Sequence, residues 1–455
     1  MNPLAILGLI AAVGVLVVGA YKGVGAFAIT LAAAAVVCLT NGIDLWQGLA
    51  TNYMGGYTSA YAGFLLLFSA SSLYAKFMDV SGSATAIGFQ FIDWFGKKRV
   101  MLVCTLIISV LTYGGVSLFV VVYAVAPIMF LLFKEADLPR HLTMACLITG
   151  ACTYTMTALP GTPSLTNVIP TGFLNTTLTA APLFGIVASI AMFVMAMAYM
   201  NWAEKKARAN GEHWTYPDNV DPSLYEVKDR SVLPSSAKAF APLIVLMIII
   251  VVGSRMTMEN PAGVGDPVPM FNSTMLAVCA MLVSTVLTFA LNADKFKGIS
   301  LKSVISGGLE GGIDGIGGYA GVVAFGAVVQ NTVAFTQIVE WVLSLGMNPY
   351  VQAVVATCVI CAVTGSSSGG QRIMYTALTP SFLASGANLE VLHRLTSISA
   401  DWLDTLPHSP GLFLMFAMLG LTHKDGYKHV FICSTIVPGI VTIVATALAV
   451  AGVLG

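Results

Sequence analysis

The sequence is short of charge. Asp, Glu, Lys and Arg make up 9 % of the 455 residues, against roughly 25 % in a soluble domain, and no soluble surface can be built from so few. The 21 acidic and 21 basic residues cancel, so net charge names no partner. No basic stripe exists to neutralise phosphates, which argues against nucleic acid. Histidine is scarce as well: the six present show no His-Glu-x-x-His spacing, and no nucleophile–base set accompanies them, so a membrane enzyme is not expected. The eight cysteines lie in apolar runs. Cys358-Val-Ile-Cys361 has a redox-like or metal-like spacing, but no second pair or nearby histidine supports it. All eight are read as lipid-buried thiols, and no cofactor or bound metal is expected, sodium excepted.

What is abundant is apolar: hydrophobic types make up 57 % of the chain. A membrane span needs about 20 mainly apolar residues. Ten segments qualify: 3–20, 24–40, 58–78, 140–172, 181–202, 239–254, 272–292, 308–329, 397–419 and 431–453. The run from Leu4 to Ala20 lacks the basic flank of a signal peptide and reads as a first transmembrane helix. Prolines interrupt 140–172 and 397–419. Two further apolar stretches, 100–133 and 350–386, carry Gly and Ser at their middles. Only 203–238, with Lys205, Lys206, Arg208, Lys228, Arg230 and Lys238, reads as soluble.

That linker divides two halves that look alike. Asp79-Val-Ser-Gly-Ser83 and an amphipathic stretch to Phe95 match Val329-Gln-Asn-Thr332 and a stretch to Leu345. Thr112-Tyr-Gly-Gly-Val-Ser117 matches Thr364-Gly-Ser-Ser-Ser-Gly-Gly370, and Leu159-Pro-Gly-Thr-Pro-Ser164 matches Leu406-Pro-His-Ser-Pro-Gly411. Landmarks in one order at nearly one offset mark an internal repeat. Reading 100–133 and 350–386 as re-entrant hairpins gives each half five crossings and inverts the second half. Eighteen of the 21 basic residues then share one side with the linker, Arg255 and Arg394 take the other, and Arg372 falls within the second hairpin. If both stretches crossed, the division would be 12 to 8. The positive-inside rule favours the hairpins and puts the linker in the cytoplasm.

The expected fold is therefore an all-α polytopic membrane protein. It has two inverted five-helix repeats (1–202 and 239–455) about the cytoplasmic linker 203–238. Each repeat carries one hairpin (100–133; 350–386) and one broken helix (140–172; 397–419). Unpaired backbone groups at membrane depth cost several kcal/mol each, so such tips and breaks belong against a polar cavity. Paired broken segments in inverted repeats mark the substrate site of secondary transporters. The candidate substrate ligands are Thr112, Gly114, Gly115 and Ser117 at the first tip and Thr162 and Ser164 at the first break. At the second tip they are Ser366, Ser367, Ser368, Gly369 and Arg372, and at the second break His408 and Ser409. Arg372 suits a carboxylate held bidentately, or an ion pair with Asp401 or Asp404. Asp401, Asp404 and His408 are the candidates for the coupling ion; His408 also reads as a hydrogen-bonded interior histidine. Asp79, Glu310 and Asp314 read as interfacial, and Trp94, Trp341 and Trp402 as interface or packing aromatics.

Ala75-Lys-Phe-Met-Asp-Val-Ser-Gly-Ser-Ala-Thr-Ala86, followed by an amphipathic arm and Phe95-Gly-Lys-Lys98, resembles the gluconate permease family of the ion transporter superfamily, and the likeness runs through both halves. The resemblance implies proton symport of gluconate and related hydroxy acids. It also implies a scaffold and a transport domain, a homodimer and an elevator motion. Three segments depart from the family pattern. Val116-Ser-Leu-Phe-Val120 replaces its aromatic, glutamate-containing segment, Leu-Pro-Gly-Thr-Pro-Ser164 lacks its histidine, and the second tip is richer in Ser and adds Arg372. These departures suit a smaller or differently charged carboxylate, such as lactate or hydroxybutyrate. The reading is a multi-pass protein of the bacterial inner membrane that imports a small organic anion with protons. Coupling to sodium, for carboxylates including di- and tricarboxylates, is the close alternative, and a channel is disfavoured because the paired breaks leave no continuous polar pore.

Overall fold

In a computed structural model of the chain, residues 3–113, 118–162, 164–216, 230–258, 268–271 and 273–453 are described. The described residues are helical, apart from turns and one short antiparallel pair, Thr257–Met258 with Val268–Pro269. The first half opens with α1 (Pro3–Tyr21) and α2 (Ala26–Asn41). A π-helical turn, Gln47–Tyr53, runs straight into α3 (Met54–Val80). Then come α4 (Ser83–Phe95), α5 (Val100–Tyr113), α6 (Leu118–Glu135), α7 (Thr143–Cys152), α8 (Tyr154–Thr157), α9 (Leu165–Leu174) and α10 (Pro182–Ala209).

The second half follows the same order. It runs α11 (Ser236–Arg255), α12 (Ser273–Leu291), α13 (Leu301–Gln330), α14 (Val333–Ser344), α15 (Pro349–Thr364), α16 (Ser367–Ala384), α17 (Leu389–Trp402) and α18 (Pro410–Met418). It closes with α19 (His423–Val430), a π-helical turn over Phe431–Ile436, and α20 (Val437–Val450).

Local chemistry sets these boundaries. Asn348 caps α15 by accepting from the Tyr350 N–H, with Pro349 at the first helical position, where its missing N–H costs nothing. Gly365, at φ +62°, ends that helix in the left-handed region. Ser366 then caps α16 by accepting from the Gly369 N–H at 3.2 Å. The Ser- and Gly-rich run thus folds as a two-residue tip between two helices. The proline segments break helices as expected: α8 stops at Thr157 and α9 starts at Leu165, while α17 stops at Trp402 and α18 starts at Pro410.

The long helices α3 and α13 form the central seam. A Cβ at Gly312 would stand 2.4 Å from Ser69 Cα, and one at Gly56 would stand 2.8 Å from Ala324 Cα. The backbones therefore approach as closely as small residues permit, the mode by which helices associate in lipid.

Two large apolar cores flank this seam. One unites α3–α7 and α10 with α11, α12, α18 and α19. The other unites α13–α17 with α1, α2 and α9. Each joins the arm and hairpin helices of one half to the opening helices and the last piece of the broken helix of the other half.

Six described helical stretches are long and apolar enough to cross a membrane: Pro3–Tyr21, Gln47–Val80, Pro182–Ala209, Thr274–Leu291, Leu301–Gln330 and His423–Val450. The protein is thus a multi-pass helical membrane protein. Two helices outrun the apolar segments that announced them: the expected 58–78 begins at Gln47 and 308–329 at Leu301, because polar residues extend a helix that hydropathy alone truncates. The linker's described ends pack on the first half, with Arg230 at 3.2 Å from Asp93 and over the Phe89 ring.

Candidate substrate and coupling site

The second tip and the described residues flanking the first, Tyr113 and Leu118, meet the two breaks. Tyr113, the last residue of α5, donates to the Pro160 carbonyl at 3.1 Å, joining the first hairpin to the first break. Leu118, where α6 begins, lies 3.6 Å from where a Cβ on Gly411 would stand, joining that hairpin to the second break. At the second tip, Ser409 donates to the Gly365 carbonyl at 3.3 Å, and His408 Nε2 donates to the Ala362 carbonyl at 2.8 Å. Gln371 of α16 reaches across halves to the Thr166 carbonyl at 3.0 Å, where Ser397 of α17 also donates.

The first break is closed by its own neighbours. Ser164 and Thr166 both donate to the Met156 carbonyl. Asn167 donates to the carbonyls of Thr162 and Leu178 at 2.8 and 2.9 Å. Arg394, fully buried in α17, spends its whole guanidinium here. Nε and Nη2 donate to the Ala180 carbonyl at 3.3 and 2.9 Å, Nη2 also to Leu178 at 3.3 Å, and Nη1 to Thr157 at 3.1 Å and to Asn167 Oδ1 at 3.0 Å. His393 Nε2 donates to the same Asn167 oxygen at 3.0 Å, which leaves its Nδ1 to accept from Thr176. This clamp supplies the partners that lipid cannot. Charge counting treated Arg394 as a basic residue in an outer loop. It is instead an interior residue of α17, and only Arg255 remains on that side of the count; its side chain lies outside the described residues.

The second break is left chemically open. Asp401 and Asp404, one helical turn apart, are both buried. Ser434 donates to Asp401 Oδ1 at 3.5 Å and in turn accepts from Thr405 at 2.9 Å. Ser367, in the first turn of α16, lies beside the Asp404 carboxyl. Asp401 Oδ2 and Asp404 Oδ1 are buried without a partner among the described residues, as are His408 Nδ1, Gln371 Oε1, Thr112 Oγ1 and Thr162 Oγ1. Among the described residues, no ion pair reaches either aspartate. Ser366, Ser367, Ser368 and Gly369 are half-buried, so this helix start is accessible.

Arg372 is exposed on α16 and makes none of those ion pairs; the alternative pairing with Asp401 or Asp404 is not found among the described residues. Gly114, Gly115 and Ser117 of the first tip, with Pro163, lie outside the described residues, as does the Asp314 side chain. Trp402 is a packing residue: Gly439 leaves room for its indole. The two cysteines of the Cys-x-x-Cys run are free and buried, and no group of three His, Cys, Asp or Glu among the described residues is placed to hold a metal ion.

Several long apolar helices, two helix breaks and a buried acidic pair beside the second one fit a multi-pass membrane permease. The comparisons agree. The family model for GntP family permeases matches residues 4–451, so the chain belongs to that family. It is 29 % identical over 449 residues to the Bacillus subtilis protein described as uncharacterized transporter YxjC, covering 92 % of this chain and 93 % of that one. It is 24 % identical over 382 residues to an uncharacterized permease of Haemophilus influenzae, covering 80 % of this chain and 76 % of that one. The protein is therefore a transporter and not an enzyme.

Proposed function

We propose that this permease imports a small organic anion — a hydroxy acid, a sugar acid or another carboxylate — by proton symport. The observation that carries the reading is the acidic pair. Two ionised carboxylates with no basic partner among the described residues cannot both stay out of water. A cation must accompany them, and a proton is the simplest. Asp404 sits against Ser367 at the accessible start of α16, where backbone N–H groups and the positive helix end favour an anion. Cation and anion are thus placed to load together. Arg372, exposed two residues past Gly370, is positioned to take the substrate carboxylate in a planar fork. Gluconate, lactate and hydroxybutyrate are the first substrates to try.

Sodium is the second reading. Hydroxyls of Ser367, Thr405 and Ser434 stand around the carboxylates, and hard oxygen donors of this kind suit a hard cation.

The architecture proposed around this site is an inverted repeat with re-entrant hairpins, divided as 1–202, 203–238 and 239–455. The exchange of parts between the two cores supports a two-fold relation, because reciprocal contacts are what such an axis generates. A homodimer in the bacterial inner membrane, moving its tips and breaks as one body in an elevator motion, completes the proposal. Uptake into proteoliposomes under an imposed pH gradient, and then under a sodium gradient, tests it. Concentration of a carboxylate by the pH gradient alone is the expected result, and concentration by sodium alone transfers the assignment to the second reading.

A further inference from the structure

Away from the acidic pair, two histidines from opposite halves meet end to end. His141, just before α7, and His429, near the end of α19, place Nδ1 and Nε2 2.7 Å apart. Their rings lie within 9° of parallel with centroids 5.0 Å apart. With the nitrogens that close, the rings meet edge to edge, the N–H of one and the lone pair of the other lying in the ring planes, as a strong hydrogen bond requires. His141 Nε2 is 2.7 Å from Glu212 Oε2, in the segment following α10, and Tyr199 OH is 2.9 Å from His429 Nδ1.

The donor directions are fixed. Hydrogen bonds from Asn210 and His141 hold the Glu212 carboxyl below the usual carboxylate range, so it accepts. His141 Nε2–H therefore donates outward and its Nδ1 accepts from His429 Nε2–H, whose Nδ1 accepts from the Tyr199 hydroxyl. From the buried His429 onward the bonds point to the surface, and Tyr199 behind it is half-buried. His429 is fully buried, whereas the Glu212 side chain is 37 % exposed.

The inner end leads toward the acidic pair. The π-helical turn after His429 carries Cys433, beside Tyr199, and Ser434, which donates to Asp401. The other titratable neighbours are Lys428 of α19 and, beside Cys433, Cys146 of α7; Arg140 precedes His141 in the chain.

We propose that Tyr199, His429, His141 and Glu212 form the cytoplasmic proton-release wire of this transporter. A proton arriving at the tyrosine end passes on as Tyr199 O–H transfers to His429 Nδ1. His429 Nε2–H then transfers to His141 Nδ1, and His141 Nε2–H to the Glu212 carboxylate. Each nitrogen gains one proton as its ring partner loses one, the arriving proton restores the tyrosine, and Glu212 gives its proton to water. The inference rests on the proton-symport reading.

The test uses the purified full chain in proteoliposomes with a pH indicator trapped inside and gluconate, lactate and hydroxybutyrate as probes. His429→Gln, His141→Gln and Glu212→Gln keep hydrogen-bonding capacity but cannot carry the proton. Each should slow substrate-coupled proton entry by about tenfold or more, while substrate counterflow, which moves no net proton, stays within about twofold. The thermal unfolding midpoint of each variant in detergent controls for misfolding. Unchanged proton entry in all three overturns the wire, as does an equal loss of counterflow and proton entry, which marks a structural role. A wild-type protein that moves the probes without protons overturns the wire and the symport reading together. Proton entry that Asp404→Asn leaves intact, alongside defective histidine variants, overturns only the placement of the coupling carboxyl.

Discussion

Arg394 donates to the side-chain oxygen of Asn167 at 3.0 Å, tying α17 to α9 across 227 residues of chain. The same guanidinium holds the carbonyls of Thr157, Leu178 and Ala180. Arg394→Ala strands these acceptors in the interior, and roughly 3–5 kcal/mol of stability should go with it. Thermal unfolding in detergent should show a lower midpoint for Arg394→Ala, with Arg394→Lys only partly restored because the planar fork is lost.

Arg372 should behave oppositely. It is exposed and makes no ion pair with the described residues, so Arg372→Lys and Arg372→Ala should leave the unfolding midpoint unchanged. If it holds the substrate carboxylate, losing one charge-assisted contact costs about 1.5–3 kcal/mol, roughly ten- to a hundredfold in affinity. Equilibrium binding of a carboxylate probe separates the cases, and unaltered affinity in Arg372→Ala removes Arg372 from the site.

Asp404→Asn fixes a neutral state beside Ser367. Accumulation against a gradient should be abolished while some downhill exchange survives. Uptake and counterflow in proteoliposomes report the two activities separately. An Asn variant that still concentrates substrate shows that Asp404 does not carry the coupling ion, and loss of both activities in a folded variant makes it a substrate contact.

Topology is tested with single cysteines in a background lacking the eight native ones. Positions in Lys205–Lys238 should react with a membrane-impermeant reagent only from the cytoplasmic side, and Gly455 only from the periplasmic side. A C-terminus labelled only from the cytoplasm rules out the inverted repeat.

Much of this architecture was legible because Gly, Ser and Pro punctuate an otherwise apolar chain. The tip at Gly365–Ser366 and the restarts at Leu165 and Pro410 fall where those residues fall. Repetition exposed the same element order twice. The clamp at the first break was not legible. Arg394 lies a few residues from a capped helix start, so hydropathy cannot tell it from a loop residue, and its partners are mostly backbone carbonyls, which leave no trace in the sequence. Asn167, a carboxamide in an apolar helix next to Pro170, was the one available signal. The pairing of His141 with His429 depends on segments 288 residues apart, and only the assembled fold brings them together.

The exchange of parts between the two cores also bears on how the protein is made. When the ribosome finishes the linker, α4–α7 are in the membrane, but α11, α12 and α18, which complete their core, do not yet exist. Likewise α1, α2 and α9 wait for α14–α17. Half of the chain is therefore synthesised as an open intermediate whose small-residue and polar faces point at lipid or at a membrane chaperone.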